Sequence, residues 1–205
     1  MSAKTSAEVV IDGKVYTLSG YEGEEYLQKV ASYINGKINE FTSIEEYRHI
    51  PLNMKNTLIQ LNIADDYFKA KDQVMEIEQD LFHVPWTKEG FFTFLTRDDA
   101  MFLVVEEKEK ILGYCGLLMV LDEGDITNVA VRRDRQKEGI GAFLMQSLIR
   151  LAAEREVTTI HLEVRVGNET AIRLYERMGF TGDGIRKAYY SDPVEDALLM
   201  TRHPE

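Results

Sequence analysis

The sequence predicts an α/β (α+β) chain in two parts: a small β-hairpin and helical domain over residues 1–72, then a larger domain of strands and helices over residues 73–205. Three observations lead there. Asp12-Gly13 stands between two short β-rich runs in EVVIDGKVYTLSG. No helix breaker occurs from Asn53 up to Pro85. From Ala100 the pattern turns to successive β-rich runs, and the third leads into the turn QKEGIG and a helical periodicity.

The elements follow in order. Asp-Gly tolerates positive φ at both turn positions and closes a tight hairpin. EEYLQKVASYINGKINEF reads as a helix, with Tyr26, Val30, Ile34 and Ile38 as one apolar stripe. TSIEEYRHI is a polar break, after which Pro51 can sit in the first turn of a second helix. Leu58, Leu61, Ala64 and Phe68 continue that helix at three-to-four spacing. A helix so long on so small a domain needs a partner for its apolar face. MFLVVEE, KILGYCGLLMVLDE and DITNVAVR have short connections, so an antiparallel meander is expected. The helix after QKEGIG carries Phe143, Leu144, Leu148 and Leu151 on one side. TTIHLEVRV is a strand, Asn168 can cap the helix TAIRLYERMGF, and Gly179 lies near its end. GIRKAYY and DALLM are the closing β-like runs.

Composition bounds the function. The chain has 205 residues, 44% of them hydrophobic, enough for a packed core. One cysteine, Cys115 in an apolar run, supports neither a disulfide framework nor a cysteine metal cage. His49, His83, His161 and His203 are too scattered for a metal cluster, so no metal is expected. The start has no apolar core of signal-peptide length and no stretch approaches a membrane span, which predicts a soluble, cytoplasmic protein. A net charge of -11 argues against a nucleic-acid-binding surface.

The corner between the third β-rich run and its helix is the first sign of chemistry. Unpaired N–H groups at a helix start favour an anion, and glycine lets a phosphate approach the backbone. The spacing is Gln136-x-x-Gly139-x-Gly141, neither GxGxxG nor GxxxxGK[ST], so it fits neither a dinucleotide fold nor a P-loop NTPase. By itself the spacing fits an ordinary strand–helix turn equally well. In IHLEVR, alternation puts Leu162 and Val164 on one face and His161, Glu163 and Arg165 on the other. Glu163 can therefore face a cleft or simply be solvated.

Two family resemblances join these pieces. The first third, in EVVIDGKVYTLSG, EGEEYLQKVASYINGKINE and NTLIQLNIADDYFKAKDQ, resembles the ZapA-type cell division proteins. That resemblance implies a dimerising head that engages filaments of the tubulin-like division protein. DITNVAVRRDRQKEGIG, HLEVRVGNETAIRLYERMGF and IRKAYYSDPVEDALLM resemble the GNAT acetyltransferases, and within them the RimI-type N-terminal acetyltransferases. VMEIEQDLFHVPWTKEGF resembles their first helix and Pro-Trp loop. The implied fold is a mixed sheet with flanking helices. The implied activity is acetyl transfer from acetyl-CoA to a protein N-terminal amine, the alanine of a ribosomal protein. Alternatives are a division scaffold with an impaired acetyltransferase domain, or an enzyme acting on lysine or a small amine.

The same resemblance assigns residues. Val129, Ala130 and Val131 would bind acetyl-CoA through backbone groups. Gln136, Lys137, Glu138, Gly139, Ile140, Gly141 and Ala142 would cradle its pyrophosphate, and Asn168 would contact it. Glu163 would be the general base and Tyr175 the general acid, although a tyrosine there also fits a core position. Trp86, Asn128, Arg165, Tyr189 and Tyr190 would lie near the peptide. Two departures stand out. Glu138 places a carboxylate in the phosphate loop. The helix runs straight into Val74 with no β-rich segment that could be the strand that opens other GNAT domains, so the sheet lacks it, another segment substitutes, or the chain is an aberrant fusion.

Acid–base arithmetic bears on the acceptor. An α-amine with a pKa of about 7.7–8.0 is roughly one-tenth neutral at pH 7, a cost of about 1.4 kcal/mol. A lysine amine at about 10.4 costs roughly 4–5 kcal/mol by the same rule. A single carboxylate suffices for the first, while the second needs a site that also shifts the amine. The leaving thiolate needs a proton, and tyrosine at about 10 can give one to a thiol of about 8.5 as it departs.

Overall fold

A computed structural model describes residues 5–20, 23–47 and 49–203. The chain divides into two compact units, Met1–Lys69 and Ala70–Glu205, and the division falls inside one long helix.

In the first unit, β1 (Thr5–Ile11) and β2 (Lys14–Gly20) form the hairpin. Asp12 and Gly13 take φ of 51° and 71°, as a two-residue turn with positive φ at both positions requires. Helix α1 (Glu24–Ser43) lies on β1. Its contact strip is narrow: Ala31 is buried with Ala7 and Val9. Two polar side chains on the same strip bind strand backbone, Gln28 donating to Glu8 O and Asn35 donating to Val10 O. The expected stripe is thus only half right. Tyr26 stays 53% and Val30 37% exposed, because a two-stranded ribbon covers only the face led by Ala31. Helix α2 (Leu52–Leu81) follows Pro51, whose carbonyl accepts from Lys55 N. Asp66 on α2 accepts from Tyr33 Oη and pairs with Lys37 at 2.6 Å. Leu58 of the second stripe is half-buried, but Leu61 and Phe68 remain 61% and 58% exposed, so these two have little cover among the described residues of one chain.

The second unit is built on a mixed six-stranded sheet: β3 (Ala100–Glu107), β4 (Lys110–Val120), β5 (Glu123–Val131), β6 (Thr159–Arg165), β7 (Thr181–Ser191) and β8 (Val194–Arg202). The order is β3-β4-β5-β6-β8-β7, and β5–β6 is the parallel pair. The meander β3–β4–β5 is as expected. β3 is an edge strand and no seventh strand covers it among the described residues, in line with the missing opening strand. One face carries α4 (Ile140–Glu154) and α5 (Glu169–Arg177) over Cys115, Leu117, Ile126, Leu162 and Val164. The other carries the end of α2 and α3 (Lys88–Leu95) over Tyr114 and Ala130. The buried side of α4 is Leu144, Met145, Leu148 and Ala152, whereas Phe143 is 60% exposed. The expected stripe is rotated by about one residue, because the apolar periodicity of this helix is broad enough to admit either face and the sheet selects one.

Candidate active site

The sheet opens where the sequence placed the chemistry. β5 and β6 pair from Glu123–Ile126 to Thr159–Leu162, and past Ile126 β5 pairs among the described residues with β4 alone. The register of β4 and β5 shifts between Gly116 and Leu117, opposite Thr127. A Cβ on Gly116 would stand 2.6 Å from Thr127 Oγ1 and 3.2 Å from the Phe94 ring, so glycine is what lets the bulge and α3 close on each other. The bulge turns β5 away from β6. Asn128, Val129, Ala130 and Val131 therefore line one side of a gap, with backbone groups on the edge that β6 leaves.

Past Val131 the chain makes a short 3-10 turn, Arg133–Arg135, and Gln136 Nε2 donates back to Val131 O at 3.0 Å. Gly139 is the N-cap of α4 at φ 86°, ψ -2°, with no side-chain cap. The first helical bond from this cap runs from Phe143 N to Gly139 O, which leaves the N–H groups of Ile140, Gly141 and Ala142 without intrahelical acceptors. No acidic residue lies in the first turn, and nothing comes within 4 Å of where a Gly139 Cβ would stand. Open backbone donors at a positive helix end fit a diphosphate. Glu138 does not oppose this fit: its carboxylate is held by Arg135 Nε at 2.9 Å, and Arg135 also pairs with Glu107. Lys137, at φ 66°, helps the loop turn. Asn168 caps α5, accepting from Ala171 N at 3.2 Å.

On β6 the burial alternates as expected, with Ile160, Leu162 and Val164 buried beneath α4 and α5. Glu163 and Arg165 consequently face the side that carries α3. Glu163 Oε1 accepts from Arg186 Nη1 at 2.8 Å, and its main-chain oxygen accepts from Tyr190 Oη at 3.2 Å. Tyr189 and Tyr190 meet edge to face, their centroids 5.0 Å apart. Burial, and next the neighbouring Tyr189, push the Tyr190 phenol up to about 12. Arg165 is fully engaged: it donates to Asp192 O, Pro193 O and Glu195 Oε2, and lies 4.1 Å over the Tyr190 ring. Those bonds make it a brace for the β7–β8 hairpin rather than a free contact for a peptide.

Tyr175 sits on the opposite face, in the core against Phe180. Burial raises its pKa, with smaller contributions from Tyr190 and Cys115. The phenol therefore stays protonated at neutral pH, as a proton donor must, but is a weaker acid than free tyrosine. Trp86 packs on Phe91 and Phe94, and Phe94 touches Gly116, which pairs with Asn128. Trp86 and Asn128 are thereby joined on the α3 face. Sequence reasoning missed two participants. Arg186 lies 23 positions from Glu163 and no local pattern links them. Glu78 is fully buried, accepts from Trp86 N at 2.9 Å and accepts from the Tyr114 hydroxyl. Its one visible sign was a helical spacing that puts Glu78 on the same face as Val74 and Met75, the face that packs against the sheet.

A family model described as Acetyltransferase (GNAT) family matches residues 71–180, more than half of the chain. The chain belongs to the GNAT acetyltransferase family. A second model, Cell division protein ZapA, matches residues 7–101, so a ZapA-like region is fused ahead of the GNAT domain and the matches share residues 71–101. Over 130 residues the chain is 41% identical to a Bacillus subtilis protein provisionally named a ribosomal protein bS18-alanine N-acetyltransferase, covering 63% of this chain and 86% of the relative. The Escherichia coli K12 ribosomal protein bS18-alanine N-acetyltransferase is 37% identical over 128 residues, covering 60% of this chain and 84% of that protein. Among solved structures, the ribosomal-protein-S18-alanine N-acetyltransferase from Escherichia coli superposes with a TM-score of 0.61 at 33% identity, over 65% of this chain and 86% of that one. Ard1 from Thermoplasma volcanium gives a TM-score of 0.62 at 26% identity, over 67% and 93%. GNAT enzymes take their acetyl group from acetyl-CoA, and the donors at the start of α4 fit its diphosphate.

Proposed function

We propose that this GNAT domain acetylates the α-amine of a protein that begins with alanine, ribosomal protein bS18 being the substrate class named for its relatives. The observation that carries the reading is the gap between β5 and β6, with a nest of open N–H groups at its end and Glu163 on its wall. In this reading Gln136 to Ala142 hold the diphosphate of acetyl-CoA, Val129 to Val131 offer backbone groups to its arm, and Asn168 meets it at the start of α5. Bound acetyl-CoA supplies an acetyl thioester. Glu163 takes a proton from the acceptor amine, directly or through water, and Tyr175 gives one to the departing sulfur. Trp86, Asn128, Tyr189 and Tyr190 shape the acceptor side, while Arg165 fixes the hairpin that carries the two tyrosines.

Both proteins of that reaction, enzyme and ribosomal substrate, would meet in the cytoplasm. The ZapA-like region and its exposed apolar residues support a homodimer formed through the N-terminal unit, and contact with a tubulin-like division protein is the corresponding partner. The same region favours a second reading, a division scaffold whose acetyltransferase domain, with an open β3 edge, turns over poorly.

One experiment separates these. The chain is incubated with acetyl-CoA and three peptides: one beginning with alanine, the same peptide with a blocked N-terminus, and a blocked peptide carrying lysine. Mass spectrometry should find one acetyl group on the first alone. Acetylation of lysine in the blocked peptide overturns the N-terminal assignment, and no turnover with retained acetyl-CoA binding favours the scaffold.

A further inference from the structure

Two arginines face the acceptor side, and they are bound very differently. Arg165, Ala197 and Arg186 form one row across β6, β8 and β7, so both guanidinium groups rise from the same face as Glu163. Each lies over a tyrosine, Arg165 at 4.1 Å from Tyr190 and Arg186 at 5.1 Å from Tyr189. Arg165 is locked by two carbonyls and a carboxylate. Arg186 has one polar partner among the described residues, Glu163, and its side chain is 52% exposed. It stands just before the register break of β7, where Asp196 pins Lys187 and the Ala188 amide, so its backbone is braced while its side chain borders solvent.

The pair cannot persist through proton transfer. A carboxylate that accepts a proton from an amine becomes neutral and loses its attraction for a guanidinium. An incoming α-amine arrives mostly as a cation, so it can take the place of Arg186 at the same oxygen, charge for charge. A partly exposed ion pair is weak, which makes the exchange inexpensive. The Tyr189 face keeps a site for the released guanidinium.

We propose that Arg186 is a displaceable latch on Glu163, a positioning residue that occupies the carboxylate in the free protein and yields it to the cationic amine of the acceptor. The proposal rests on the reading of Glu163 as the base. The test uses the full chain saturated with coenzyme A, so that no chemistry occurs. Calorimetry compares an alanine-starting peptide with its Nα-acetylated form, in the parent, Arg186→Gln and Arg186→Lys. Circular dichroism verifies the fold of each.

Removing the competitor should tighten binding of the free-amine peptide about two- to fivefold, the scale of an exposed ion pair. Binding of the blocked peptide should not change, and Arg186→Lys should restore the parent value. In turnover, KM for the peptide should fall with kcat altered less, whereas loss of a merely structural residue would raise KM or depress kcat. A parent that prefers the free amine, with a folded Arg186→Gln that binds it equally or more weakly, overturns the latch and leaves the base assignment standing. A parent that does not distinguish the two peptides overturns the base reading and the latch together.

Discussion

Glu78 is a carboxyl with no access to solvent, and burial pushes its pKa above the ordinary range, partly offset by the Trp86 amide. A carboxyl whose pKa is higher folded than unfolded adds stability below its unfolded value, about 4.3, and that stability is lost as pH rises through the folded value. Parent stability should therefore fall with rising pH above about 4.3 relative to Glu78→Gln. Fluorescence of Trp86, the single tryptophan, read through thermal melts across that range, checks this. Glutamine can still accept from Trp86 N and meet the Tyr114 hydroxyl. Glu78→Leu can do neither, and each orphaned group costs about 1–3 kcal/mol. A leucine variant as stable as the glutamine variant would show that these bonds do not hold the loop. Glu163 belongs to the same scale. Glu163→Gln should lower kcat on the order of 100-fold or more while acetyl-CoA affinity stays nearly constant. Raising pH should partly rescue the variant, because bulk deprotonation of the amine replaces the base. Equal turnover of variant and parent at neutral pH removes Glu163 from the mechanism.

The helix start at α4 is the element on which donor binding turns. Gly139 combines φ 86° with open space around its missing Cβ. Gly139→Ala therefore meets no steric obstacle beyond its backbone strain, on the order of 1 kcal/mol. Gly139→Asp adds a negative charge beside the phosphate donors. Titration calorimetry should find acetyl-CoA affinity reduced far more by aspartate than by alanine. Unchanged affinity in a folded Gly139→Asp sinks the assignment of this loop to the diphosphate. The opening between β5 and β6 belongs to the same level: a bulge in one strand, permitted by Gly116, creates the space that the loop and Glu163 then share.

At the scale of the molecule, the first unit leaves apolar surface that its own residues do not cover. Val15, Leu61 and Phe68 are among the exposed positions. Surface of that kind is buried most simply by a second copy, in a closed pair with twofold symmetry. Light scattering at micromolar concentration should give the mass of a dimer. Leu61→Glu with Phe68→Glu should shift it to the monomer while acetyl-CoA affinity is unchanged, since the residues assigned to acetyl-CoA all lie beyond residue 70. A monomeric parent refutes the dimer.

The order and kind of the elements were written in local sequence. Asp12-Gly13 fixed the hairpin turn, the breaker-free run fixed one long helix, and Gly139 and Asn168 marked two helix starts, because turns and caps are settled by a few neighbouring residues. The alternation that turns Glu163 away from the core was legible for the same reason. Periodicity alone did not tell which apolar face is covered: α1 turned Ala31 inward and left Tyr26 out, and α4 buried Met145 in place of Phe143. That choice depends on the width and position of what packs against a helix, which the helix does not encode. Contacts between distant strands were equally hidden. Arg186 reaches Glu163 and Arg165 is spent on the hairpin because the sheet order brings separated strands side by side, and Glu78 meets Tyr114 because the end of α2 packs on the sheet.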